Sequence, residues 1–422
     1  MGAPAPGNHT ETISSMLFRR LTRGISPGQI AWQRLRRIPT AVAGLLWIAL
    51  MAVMALFGYL FIPDSTPHAN HQQLEIASHK PGTRIQMLYV TQNVDYSKPS
   101  LFRRILSGKP TPYTTIPIQD DYFEEDRIHY ETYAGQPGYP GMEGFFTLPD
   151  VLHALDHAHQ VTEAEGDSLA FVTVDGTKKT ASIHDMRERV RDQHLRERRF
   201  LLGTDRFGRD MLSQLIIGAR VSLSVGFIAV FISLVIGISL GSMGGYFRGY
   251  MDHFVVWLIN VVWSIPTLLL AIAITFALGK GFWQVFVAVG LTMWVEVARL
   301  VRGQVISIRE KEFVESARAL GINNLRIIGR HILPVITGPV IVISAANFAS
   351  AILIEAGLSF LGIGVQPPMP SWGTMIREHY GYIILDKGYL AILPGLAIML
   401  LVLSFMLLGN GLRDALDTSA RD

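Results

Sequence analysis

The chain has 422 residues, of which 49% are hydrophobic and only 17% charged, and its mean hydropathy is positive; this balance excludes an ordinary soluble globular protein and predicts membrane insertion. The absence of cysteine excludes a disulfide framework, a thiolate metal site and a cysteine nucleophile. A net charge of +3 is small for this length and argues against a nucleic-acid partner.

In chain order, residues 1–40 carry Arg19, Arg20, Arg23, Arg34, Arg36 and Arg37 against the single acidic residue Glu11. Basic residues flanking a span mark its cytoplasmic side, so this segment is expected there. Residues 41–62 are apolar over about the 20 residues that a helix needs to cross a bilayer core. The run is too long, and too far from the start, for a cleaved signal peptide, and it predicts a retained anchor. Residues 63–200 are too long and too charged for a simple connection and read as an extracytoplasmic insertion. Its Pro-, Ser-, His- and Lys-rich opening reads as linker. Segments 85–90 and 170–174 predict strands, and 149–165 and 182–199 predict helices, giving a small mixed α/β module. Aromatic, Gly and Pro residues cluster over 130–146, which suits an ordered loop as well as a binding surface. His153 and His157 would lie one helical turn apart, with Asp156 between them and His159 just beyond. Such a set could hold zinc or nickel, but a solvated helix face is the commoner outcome, so no metal is expected.

Residues 201–410 hold five further apolar stretches, 221–240, 254–278, 282–300, 335–354 and 389–408, followed by a tail at 411–422. The stretch 282–300 is the least apolar because Glu296 and Arg299 sit near its end. Six crossings return the C-terminus to the cytoplasm and place the loop 302–334 there too. That loop holds Arg302, Arg309, Lys311, Arg318, Arg326 and Arg330, an independent agreement with the N-terminal arginines. The turn at 279–281 and the segment 355–388 then face outward. Gly237, Gly241, Gly245 and Gly249 recur at the spacing of close helix packing. Pro266, Pro339 and Pro394 are expected to kink their helices. Asn260 and Glu296 are the polar candidates for a translocation path, although Glu296 is near enough to Arg299 to be interfacial instead.

The loop running from Glu312 to Pro334 is the most informative segment. Ser316, Ala317 and Ala319 are small enough to let a helix approach another surface closely, and Gly321 can take the left-handed conformation that ends one helix before the next. Leu325, Ile328 and Ile332 recur near helical spacing as an apolar side, with Arg326 and Arg330 polar. Pro334 suits the first turn of the fifth span.

Glu315, Ser316, Ala317, Gly321, Leu333 and Pro334 closely resemble the coupling motif of ABC importer permeases, Glu-Ala-Ala, three residues, Gly, then Leu-Pro, with Ser316 in place of the first Ala. Glu312 opens the same segment. Residues 202–213 and 218–223, which include Gly203, Asp205, Gly208 and Arg209, resemble the start of the permease core in dipeptide, oligopeptide and nickel permeases. Residues 357–373 are similar to the outward loop of the C-type subunit in that group. The resemblance covers about 201 to the C-terminus and implies no function for 63–200.

It implies an all-α polytopic membrane protein: six transmembrane helices with an ABC importer permease core, carrying the mixed α/β insertion. Residues 315–321 would form a coupling helix seated in an ATPase subunit. The chain itself shows no Gly-x-x-x-x-Gly-Lys-Ser/Thr phosphate loop, so no cofactor is expected in it, and ATP would be bound by partner subunits. The implied partners are a homologous permease subunit, two ATP-binding subunits, an extracytoplasmic peptide-binding protein and the lipid bilayer of a bacterial inner membrane. Dipeptides, longer peptides and nickel all suit the resemblance. A secondary transporter would be expected to show internal repeats and buried acidic residues, and neither is clear. A membrane-anchored sensor or enzyme would put its chemistry in the insertion, where no nucleophile, base and orienting group form a legible set.

Overall fold

The computed structural model describes residues 27–94, 99–135, 138–158, 161–164, 167–279 and 281–416. A short helix α1 (Pro27–Leu35) leads into α2 (Pro39–Phe61), which starts with Pro39 where a missing N–H costs nothing. At about 1.5 Å per residue its 23 residues reach roughly 35 Å, enough to span. Its small residues face inward: a methyl built on Gly44 would lie 2.6 Å from the Ser404 carbonyl oxygen.

The insertion follows as β1 (Arg84–Thr91), α3 (Leu101–Ser107), β2 (Tyr113–Glu124), β3 (Arg127–Thr132), β4 (Glu143–Thr147), α4 (Leu148–Leu152), β5 (Thr162–Ala164), β6 (Ser168–Val172), β7 (Lys178–Ser182), α5 (Ile183–Arg189) and β8 (Leu195–Arg199). One antiparallel sheet has the order β4-β3-β2-β1-β8, and a second has β5-β6-β7. Because β1 pairs with β8, Arg84 opposite Arg199, the insertion leaves and rejoins the chain at adjacent strands. Leu88, Ile118, Ile128, Leu148, Leu169 and Met186 fill its core.

The two predicted strands stand, but the helices differ from expectation. The helix predicted over 149–165 is a single turn that ends at Leu152, and the one over 182–199 gives way to β8, whose charged residues are drawn into strand by pairing with β1. The aromatic cluster at 130–146 includes β3 and β4, with the Tyr130 and Phe146 rings stacked at 5.6 Å. The opening of the insertion is no linker: Gln73 N–H donates to Phe207 O, Ser78 N–H to Asp205 O, and Gln214 Nε2 to His68 O, so it is fastened to the start of the helical core.

That core comprises α6 (Met211–Phe247), α7 (Gly249–Trp263), α8 (Thr267–Leu278), α9 (Phe282–Arg309), α10 (Glu312–Ala319), α11 (Asn324–Ile327), α12 (Thr337–Phe360), α13 (Trp372–His379) and α14 (Tyr389–Leu416). With α2, four of these are long and apolar enough to cross a bilayer: α6, α9, α12 and α14. The expected third span is not one helix. It is α7 and α8, bent by 92° at Pro266, and counts as a sixth crossing only if the pair is taken together. Pro339 causes no kink, because it lies in the first turn of α12, where its lost N–H has no intrahelical partner. Pro394 does lie inside α14. The fourth span runs on to Arg309, so Arg302 and Arg309 belong to α9 and not to the loop, and Glu355 lies inside α12.

The main helix pair is α6 against α9. Methyl groups built on Gly237, Gly241 and Gly245 would meet Val297, the Ala298 carbonyl and the Arg302 carbonyl at 2.5, 2.5 and 2.8 Å. The three glycines therefore let two backbones touch. Gly249 lies outside this stripe, past the end of α6 with φ +55 and open space around it. Gly241→Leu forces the pair apart and should destabilise the protein by roughly 1–3 kcal/mol, as overpacked cores do. A thermal melt of the detergent-solubilised chain reads this directly, and the same replacement at Gly303 of α9, where no neighbour lies within 4 Å, should cost less.

Candidate functional site

The loop beyond α9 forms the expected helix, turn and second helix, but the first helix runs over Glu312–Ala319 and ends before Gly321 instead of spanning 315–321. In α10, Val314 and Ala317 are buried against Val301, Val305 and Ile308 of α9. The helix closes with Gly321 N–H on Arg318 O at 3.0 Å and Ile322 N–H on Ala317 O at 3.2 Å, while Gly321 takes φ +70. This paired closure requires a left-handed residue, which glycine adopts without a Cβ penalty. The Asn323 side chain then accepts from Leu325 N–H at 3.0 Å and starts α11. Tyr246, at the end of α6, donates its hydroxyl to Asn324 Oδ1 at 2.8 Å.

Glu312, Glu315 and Ser316 are exposed on α10, Ala317 is buried, Leu333 is half-buried and Pro334 is exposed. Pro334 precedes α12, which begins three residues later, and its carbonyl accepts from Thr337 Oγ1. The expected apolar side is rearranged: Ile327, Ile328 and Ile332 are buried, whereas Leu325 is 73% exposed. With Leu320 at 80% and Phe313 at 45%, it leaves apolar side chains uncovered beside the acidic ones. Sequence periodicity did not reveal Phe313 as a surface residue, because it neighbours the buried Val314, nor Leu320, which lies at the C-cap where the helical pattern ends.

Glu296 is exposed on α9 and lines a cavity of about 310 Å³ with Trp263, Ile265 and Thr267 at the α7–α8 break. The Arg299 guanidinium stacks over the Trp263 ring at 3.5 Å. Asn260 is exposed one turn before the break and is not among the residues lining that cavity, so the two pore candidates are not brought together. Nearby, Arg302 grips Asp252 of α7 through two hydrogen bonds at 2.5 and 2.9 Å.

A second constellation escaped sequence reasoning. The Asp205 carboxylate accepts from Phe207 N–H, Arg209 N–H and Arg209 Nε, at 2.8, 2.9 and 2.5 Å. Arg209 also donates to Glu378 Oε2 at 3.1 Å and to Asn70 Oδ1 at 3.2 Å. One buried guanidinium thus ties together the opening of the insertion, the residues before α6 and the end of α13. Asp210 caps α6 by accepting from Ser213 N–H at 2.9 Å, and burial lifts its carboxyl above the usual range despite that bond. Trp372 of α13 is fully buried and donates Nε1–H to Leu215 O at 2.8 Å.

The histidine set does not assemble. His153 lies past the end of α4, where its ring stacks on Phe171 at 5.1 Å and burial pushes its pKa down to about 4, followed in weight by Lys179 and Arg189. His157 instead meets Asn93 Nδ2 at 2.6 Å, and His159 lies outside the described residues.

These features define a class: a multi-pass helical membrane protein with a surface helix folded back at one end of its longest helix pair and a sheet-containing insertion at the other. The model of the family "Binding-protein-dependent transport system inner membrane component" matches residues 215–422, and that of "N-terminal TM domain of oligopeptide transport permease C" matches 26–81. The glutathione transport system permease protein GsiD of Pectobacterium atrosepticum is 42% identical over 216 residues, 51% of this chain and 71% of that protein. The dipeptide transport system permease protein DppC of Alkalihalophilus pseudofirmus is 43% identical over 215 residues, 51% of this chain and 70% of that protein. An inward-facing structure of the MetNI methionine ABC transporter covers 49% of this chain and 98% of its own at 20% identity, with a TM-score of 0.41. The chain belongs to the ABC importer permeases, as a C-type peptide permease subunit. Residues 82–214 fall outside both matched families.

Arg209→Met leaves the Asp205 carboxylate buried without its cation, and Glu378 with Arg206 alone at 3.5 Å; removing one partner of a buried pair costs roughly 3–5 kcal/mol. Limited proteolysis should then cut the 63–81 segment much faster than in the parent protein.

Proposed function

We propose that this chain forms half of the translocation pathway of an ATP-driven importer for dipeptides and oligopeptides. The single observation that carries this reading is α10: a short helix, closed by a left-handed Gly321, that presents Phe313, Glu315 and Leu320 outward at the end of the core remote from the insertion. A helix that offers apolar and acidic side chains to solvent suits a groove on a partner protein. That partner is an ATP-binding subunit, two copies of which, with a homologous permease, complete the complex. Hydrolysis takes place there, and this chain takes no catalytic part.

Buried Val314 and Ala317 bind α10 to α9, so displacement of α10 by a partner moves α9 and, through the glycine stripe, α6. Glu296 then faces the changing path at the α7–α8 break. Transport proceeds by alternating access, with the partner's cycle shifting the balance between two packings. The arginines before α2 and in the 302–334 loop support cytoplasmic termini in a bacterial inner membrane, with the insertion outside, where a peptide-binding protein delivers cargo. The names of the relatives, glutathione and dipeptide permeases, favour peptides over nickel.

Gly321→Leu tests the reading. A side chain at φ +70 costs roughly 1 kcal/mol or more and redirects α10. In proteoliposomes that contain the whole complex, labelled dipeptide uptake and substrate-stimulated ATP hydrolysis should both fall while the complex stays assembled. Uptake at the parental rate by an assembled mutant complex contradicts the coupling role, and uptake of nickel without peptide contradicts the substrate.

A further inference from the structure

The insertion holds a cavity of about 790 Å³ that no part of the reading above employs. Arg104, Lys109, Arg196 and Arg198 line it, together with Asp64 and His71. Arg196 and Arg198 are two apart on β8 and so project from one face of the strand. None of the four cations is paired with a carboxylate among the described residues, and Arg104 Nε is shielded without a hydrogen-bond partner. Asp64 offsets only one of the four positive charges, and its carboxylate accepts from Thr66 N–H, Thr66 Oγ1 and His71 N–H, at 3.0, 2.7 and 3.2 Å. Burial lowers the pKa of His71; the Asp64 carboxylate opposes the shift and Arg198 adds to it. Among the described residues, the lining of the cavity therefore sets four cations against the single carboxylate of Asp64.

Its position identifies the anion. The lining begins at Pro63, two residues after α2 ends at Phe61, so the chamber sits where a span leaves the hydrocarbon. Its neighbour α3 is amphipathic: Leu101, Phe102, Ile105 and Leu106 share one face, and Arg103, Arg104 and Ser107 the other. Arg220 of α6 fixes the depth of α3. It donates to the carbonyls of Ala55 and Leu56 on α2, at 2.7 and 3.1 Å, and to those of Ile105 and Leu106 on α3, at 3.0 and 2.6 Å. Ala55 and Leu56 lie five or six residues before the end of α2, about 8 Å along its axis. The end of α3 is thus held below the end of the span, where water is scarce. Yet Leu101, Phe102 and Leu106 are 67%, 73% and 50% exposed, and Leu56 and Phe61 of α2 are exposed as well. Acyl chains cover such a face.

We propose that this chamber binds the phosphate group of an anionic phospholipid from the leaflet on the insertion's side, while α3 lies in that leaflet with Leu101, Phe102 and Leu106 among the acyl chains. Clustered Lys and Arg at a membrane surface attract such headgroups. The site rests only on the chain crossing a bilayer, so it stands or falls apart from the peptide assignment. A lipid lodged there joins the insertion to α2 and fixes its height above the core.

The probe is the intact chain in nanodiscs of equal phosphatidylglycerol and phosphatidylcholine, with retained lipid read by native mass spectrometry after detergent exchange. The parent protein should keep phosphatidylglycerol in preference, and Arg104→Gln with Arg198→Gln should lower that preference roughly tenfold or more. Equal retention of both lipids, or loss of phosphatidylglycerol to millimolar inorganic phosphate without any preference in its absence, overturns the proposal. The second measurement needs no loss of charge. Phe102→Cys, unique in a chain without cysteine, carries a nitroxide that should relax with oxygen and not with a water-soluble nickel chelate. A nitroxide at 102 that relaxes with the nickel chelate overturns the proposal as well.

Discussion

The structure depends on the direct backbone contact between α6 and α9. Gly237, Gly241 and Gly245 bring no side chain of their own to the contact, so Val297, Val301 and Val305 and the carbonyls of Ala298 and Arg302 pack closely on the glycine face. At roughly 1.5 Å per residue, the 37 residues of α6 reach about 55 Å, longer than a bilayer core is thick. Its first turn is capped by Asp210 and bound to the insertion's opening, and its last turn holds Asn324 through Tyr246. One rigid pair therefore carries both the insertion and the surface loop. Small residues are the means by which helices associate in lipid, where burying apolar surface gives no advantage over lipid contact.

Around this pair the fold places its irregular backbone where other groups can satisfy it. The 92° break at Pro266 sits beside the cavity that Glu296 lines, and Arg302 fastens α7 to α9 near the far end. Broken helices at membrane depth are tolerated where they line a cavity or pack on protein. Glu355 is fully buried in α12, with Ser359 Oγ donating to it at 2.6 Å, and Asn347 of the same helix is buried too. Arg209 does the corresponding work at the insertion's end: it closes 63–81, the residues before α6 and α13 into one unit. The insertion is thereby fastened to the core, because its first and last strands pair and its opening is hydrogen-bonded down.

Much of this was legible because the signals are local. Apolar runs marked the spans, and Gly321 and the spacing to Leu333 marked the turn in the loop, since caps and turns are set by a few neighbouring residues. Strands of the insertion were missed where alternation fails. In β2 the register shifts between Ile118 and Asp120, which breaks the period of two, and β8 is charged at every position after Leu195 and becomes a strand by pairing with β1. The site was less legible than the fold. Leu325 looked apolar and buried by spacing, but the turn at Ile328–Ile332 widens, with Leu333 N–H bonding Ile328 O, and this rotates the buried face onto Ile327. The Arg209 cluster joins residues as far apart as Asn70 and Glu378, a juxtaposition that no local pattern encodes.

The central claim is that α10 is the surface through which an ATP-binding partner moves this core. Since the chain has no cysteine of its own, Ser316→Cys and Leu320→Cys give unique attachment points on α10, and Ser168→Cys gives one in the insertion. A short bifunctional maleimide applied to the assembled, transport-active complex should join the first two to the ATP-binding subunit and leave the third unlinked to it. Capture of that subunit from Ser168→Cys, or its absence from both α10 positions in an active complex, would contradict the account.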